Sequence, residues 1–159
     1  MLSALTLIGF YAWWAGRLQQ SAIVTWAVVL AYMGVACDLG GEFLPVFVTG
    51  DLALAAVESA TFVLPNSFNT LERANTIFSP LLANSLYTIA GIILMSRTGG
   101  LPRVVRSLMI TTWLAAAVMT VAAIFDYGPG LVVSTLVLFP SLIAWQAWMG
   151  LRWRNRCDA

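Results

Sequence analysis

Long uncharged apolar stretches alternate with short polar or charged ones along this chain, and their lengths predict membrane-spanning helices. Residues 77–96, 107–125 and 131–151 carry no internal charge and each come close to the roughly 20 residues that a crossing helix needs. Their connections, RTGGLPRVVR and DYGPG, are short, so the three helices are expected to be antiparallel neighbours. A further apolar run covers 21–42. The first segment, residues 2–16, ends in Trp13 and Trp14 followed by Arg17. Fifteen helical residues reach only about 22 Å, so this segment crosses with the help of a snorkelling Arg17 or lies in the interface with its tryptophans at headgroup depth. Crossing is the favoured reading. It lacks the basic start and small-residue cleavage site of a signal peptide and is read as mature structure. The expected fold is a single all-α domain over residues 1–159, a polytopic helical membrane bundle of about five spanning helices.

Residues 43–76 break the pattern. Phe43 to Thr49 is too short to cross, and Gly40, Gly41 and Pro45 argue that the second helix loosens or ends near there. Residues 44–64 are predicted to be re-entrant or interfacial on the outer side. The polar NSFNTLERANT that follows is expected to form a loop or a short amphipathic helix. A six-span alternative, in which 43–64 crosses fully, strands Arg17 or the Arg97 loop on the wrong side of the membrane.

Composition agrees with the membrane class: 60% of the residues are hydrophobic and only 9% charged. The chain has neither His nor Lys. Imidazole general bases, His-held haem or metals and lysine Schiff bases are therefore excluded, and no cofactor or metal is expected. Cys37 and Cys157 form no CxxC motif, and the predicted topology puts them on opposite faces. A net charge of +1 argues against a nucleic-acid partner.

Arg97, Arg103 and Arg106 fill one short loop, while Arg152, Arg154 and Arg156 fill the C-terminal tail. Two crossings separate these clusters, so both are cytoplasmic under the positive-inside rule. The same assignment puts Arg17 inside and all the acids except Asp158 outside, with Arg73 as their only basic company. The expected setting is a bacterial inner membrane with a cytoplasmic C-terminus.

The chemistry worth testing lies between Cys37 and Glu58, where Asp38, Glu42, Asp51 and Glu58 stand among apolar residues. A carboxylate near the bilayer centre costs about 2.5–3.5 kcal/mol, so such acids face protein or water and often mark a function. The four are read as an outward-facing acidic site for a cation, a proton or a polar lipophile, set against the alternative that they are wet loop residues. Arg73 is a candidate structural partner for one of them. Asn84, with Ser85 and Thr88, forms a polar stripe that serves interhelical hydrogen bonding or ligand contact. Thr112, Ala116 and Thr120 form a small-residue packing seam. Beyond membrane lipid, a membrane-protein partner or a second copy of the chain is compatible with these features. Three functions remain open: a binding or transport protein, an accessory or scaffold subunit of a larger membrane complex, and a lipid-modifying enzyme using a carboxylate pair.

Overall fold

The computed structural model describes residues 2–44, 46–47, 50, 54 and 66–157. The described residues are helical apart from short turns. Helix α1 is Leu2–Ala15, α2 is Ala22–Leu44, and α3 is Asn66–Thr76, which continues through a π-helical stretch, Ile77–Ala83, into α4, Asn84–Arg97. Helices α5, Arg103–Ile124, and α6, Gly128–Cys157, complete the bundle. The predicted re-entrant or interfacial segment 44–64 lies largely outside the described residues.

Four helices are long and apolar enough to cross a membrane: Ala22–Phe43, Thr70–Arg97, Arg103–Ile124 and Gly128–Arg152. The protein is thus a helical membrane bundle. With 14 residues, α1 reaches only about 21 Å, which is short of the roughly 30 Å of hydrocarbon. One face of it is nevertheless packed into the bundle. Trp14 is fully buried, and its indole Nε1 donates to Thr98 Oγ1 at 2.9 Å, level with the end of α4. The Tyr11 hydroxyl donates to the Tyr87 carbonyl at 2.9 Å. Phe10, Trp14, Trp113 and Trp145 form a chain of ring contacts, with centroids 5.3 to 6.0 Å apart, that joins α1, α5 and α6. Edge-on and tilted aromatic pairs of this kind add about 0.5–1.5 kcal/mol each beyond the area they bury. Arg17 ends α1 with its guanidinium 5.0 Å from the Trp13 ring, and Arg152 sits in the same way over Trp148.

The second helix does not stop at Gly40 and Gly41. It runs on to Leu44 because the glycines on one of its faces serve packing and do not break it. A Cβ on Gly34 would come within 2.8 Å of the Tyr87 ring, and one on Gly41 within 3.3 Å of the Ser79 Cβ. These two positions are seven apart and so share a face of α2, which lies almost backbone to backbone against the π-helical stretch and α4. The polar run NSFNTLERANT is helical and leads directly into the span. The turn between α4 and α5 places Gly100 at a φ of +68°, in the left-handed region that glycine enters without penalty.

Candidate functional site

Asp38 lies on the α2 face marked out by Gly34 and Gly41, one turn beyond the first and one turn short of the second. With α2 covering Ala22–Leu44, Asp38 falls about 7 Å past the helix midpoint, which in a helix centred on a bilayer lies within the hydrocarbon. What it meets there is set by Pro80. Proline has no N–H to give to the preceding turn, and its ring crowds the carbonyl four residues back. The helix answers with the wider π geometry from Ile77 to Ala83, so that the Asn84 N–H bonds to the carbonyl of Ser79, five residues back, as well as to that of Leu81. In this arrangement the Ser79 hydroxyl donates to Asp38 Oδ1 at 2.5 Å. Asp38 is half-buried.

The opposite wall comes from α5 and α6. Asn84 spends both amide hydrogens across the helix interface, on the Ala116 carbonyl at 2.6 Å and on Thr120 Oγ1 at 2.9 Å. The small side chain of Ala116 is what leaves its carbonyl reachable. Thr88, by contrast, bonds back to the Asn84 carbonyl in its own helix at 2.7 Å. Thr112, the third residue of the α5 seam, meets Ser141 of α6 at 2.9 Å. Trp113 lies flat over Gly91, where even a methyl group would come within 2.1 Å of its ring. The glycine thus gives the indole its seat between α4 and α5.

A cavity of about 130 Å³ is left between these walls. Asp38, Ser79, Asn84, Tyr87 and Trp113 contribute to its lining, together with apolar side chains that include Leu7, Phe139 and Leu142. Two of these residues each hold a buried donor with no hydrogen-bond partner among the described residues, the hydroxyl of Tyr87 and the indole N–H of Trp113, and neither of these atoms is accessible from the cavity. Buried polar groups are normally satisfied, and leaving one unpaired costs about 1–3 kcal/mol.

The chain matches no protein-family model, no curated protein and no solved structure. Its site is therefore read from geometry alone. Of the residues singled out in the sequence, Asp38 and Asn84 are brought to one cavity. Glu42 follows one turn later on α2, half-buried and outside the cavity lining. Arg73 is exposed near the end of α3, also away from it. Asp51 and Glu58 lie outside the described residues. Ser79 and Tyr87 carry no such mark in the sequence. The signal that points to Ser79 and Tyr87 is the Gly34 and Gly41 pair bracketing Asp38, because a close-packed glycine face implies that a neighbouring helix touches the acid.

Proposed function

We propose that the protein binds a small polar lipophile in this intramembrane cavity, with Asp38 as the polar anchor. The observation that carries the reading is a half-buried carboxyl group in the wall of an otherwise largely apolar cavity, with one side-chain hydrogen bond to it among the described residues, from Ser79. Placing an acid there costs about 2.5–3.5 kcal/mol. A hydrogen bond to a charged group returns about 1.5–3 kcal/mol and engages one of the two oxygens. The second oxygen, which has no side-chain partner among the described residues, can take a ligand donor or cation. Pockets that bind small molecules have this make-up, mostly apolar walls with a few convergent polar groups.

The distribution of charge supports an orientation in a bacterial inner membrane in which the Arg97–Arg106 loop and the C-terminal arginines face the cytoplasm. Asp38 then stands in the outer half of the bilayer.

The test is purification in a mild detergent followed by mass spectrometry of the small molecules that remain bound, for the native protein and for Asp38→Asn. A compound held by the native protein and lost from an Asp38→Asn variant that keeps its helicity supports the proposal. Identical retention by both proteins refutes the role given to Asp38.

A further inference from the structure

A second cavity lies toward the other end of the bundle and shares no lining residue with the one beside Asp38. It encloses about 150 Å³ between the turn that joins α4 to α5 and residues 148–152 of α6, with Thr98, Gly99, Gly100, Trp148 and Arg152 in its wall. Its depth follows from the ends of the apolar helices. Arg97 closes one candidate span, Arg103 opens the next and Arg152 closes the last. The cavity therefore lies where hydrocarbon gives way to lipid headgroups.

The side chains that remain available in this wall only donate. Thr98 is engaged, since its hydroxyl accepts from Trp14 and donates to the Leu94 carbonyl at 2.8 Å. Arg152 and Trp148 carry N–H donors and no acceptor, and the Arg152 guanidinium stands 5.0 Å from the Trp148 ring centre. Gly99 and Gly100 border the cavity with bare backbone, and their N–H groups have no hydrogen-bond partner among the described residues. Arg152 is half-buried and makes no ion pair among the described residues. The sequence holds no acid between Asp126 and Asp158, and Asp158 lies outside the described residues.

A half-buried cation among donors calls for an anion that accepts through several oxygens, and the planar fork of arginine matches phosphate oxygens two at a time. Size limits the choice. A cavity of about 150 Å³ matches one that admits benzene, which is about as bulky as a single phosphate group, so a nucleotide does not fit inside. An amine on the same headgroup would stand beside Arg152 with no carboxylate in the wall to meet it. Basic pockets between helices at the headgroup level bind anionic lipids in this way. We infer that this cavity takes the phosphate of an anionic phospholipid without an amine, such as phosphatidylglycerol.

The test is native mass spectrometry of the purified full chain in neutral micelles doped with phosphatidylglycerol or phosphatidylethanolamine, at a salt concentration that screens charges beyond about 8 Å. The native chain should prefer phosphatidylglycerol by about tenfold or more. Arg152→Gln should reduce that preference to about twofold, whereas Arg106→Gln, which removes an exposed arginine outside the cavity lining, should leave it intact. Arg152→Lys keeps the charge but loses the fork, and should fall between the two. Equal binding of the two lipids by the native chain overturns the site, and does so even if a variant fails to fold. Equal loss in Arg152→Gln and Arg106→Gln overturns it as well. Inorganic phosphate added at millimolar concentration should not displace the lipid; displacement would assign the site to a free anion and overturn the lipid source.

Discussion

Replacing Gly91 with alanine probes the seat of Trp113 and, through it, the cavity. An alanine Cβ at this position would fall 2.1 Å from Trp113 Cη2 and 2.2 Å from Cζ2. Non-bonded carbons settle at about 3.5–4.0 Å, so the indole must retreat by about 1.5 Å. Trp145 packs against the ring edge-on with centroids 6.0 Å apart, and the cavity is the open space beside it. The ring therefore moves into the cavity. Overpacking of this kind costs about 1–3 kcal/mol, set against about 1 kcal/mol gained from replacing glycine by alanine within a helix. Gly150→Ala isolates the second contribution, because its Cβ would meet nothing within 4 Å. The expected outcome is that Gly91→Ala is less stable than Gly150→Ala by about 1–3 kcal/mol, measured by reversible unfolding in mixed micelles with increasing denaturing detergent. It should also lose any compound that co-purifies with the native protein through Asp38. If the two variants match in stability and both retain the ligand, Trp113 does not occupy the groove over Gly91 and the proposed wall of the cavity is wrong.

Other expectations follow from single contacts. Asn84→Leu removes two bonds to α5 and should cost about 1 kcal/mol, given an average of about 0.6 kcal/mol per interhelical hydrogen bond in membranes; Thr120→Val should cost about half as much in the same unfolding measurement. Thr98→Val removes the acceptor of the Trp14 bond and keeps the aromatic stack, so its loss should resemble that of Thr120→Val, and no loss at all would mean that α1 is held in another way. In a chain with both native cysteines replaced by serine, Asp126→Cys should react with a membrane-impermeant maleimide in intact cells, and Gly99→Cys only after permeabilisation. The reverse pattern would invert the proposed orientation.

The long apolar helices were legible because hydrophobic length is a property of the sequence alone. The same holds for the small-residue seam of Thr112, Ala116 and Thr120, whose spacing marks a packing face. Its role as the acceptor surface for Asn84 was hidden, since half of that surface is the backbone carbonyl of Ala116. Gly40 and Gly41 read as a helix end because glycine weakens an isolated helix; in the bundle, the close approach at Gly41 outweighs that propensity. The contact between Ser79 and Asp38 was out of reach for a different reason. The π-helical stretch adds to the turn around Pro80 and shifts every later side chain relative to a 3.6-residue period, so a face drawn through Ser79 and Asn84 with regular spacing is misplaced. Polar NSFNTLERANT admits a loop or a short amphipathic helix from its sequence, and the structure takes the second as α3.

The apposition of Asp38 and Ser79 across α2 and the π-helical stretch is the contact on which the cavity depends, and a disulfide beside it tests that contact most directly. The Gly41 and Ser79 positions bring their β-carbons to about 3.3 Å, just below the 3.5–4.5 Å span of disulfides, whereas a Cβ on Gly40 approaches only Phe78 within 4 Å. In a chain with Cys37 and Cys157 replaced by serine, Gly41→Cys with Ser79→Cys should link rapidly under mild oxidation in the membrane, and Gly40→Cys with Ser79→Cys should not. An unlinked first pair, or equal linking of both, would contradict the placement of Asp38 in the cavity wall.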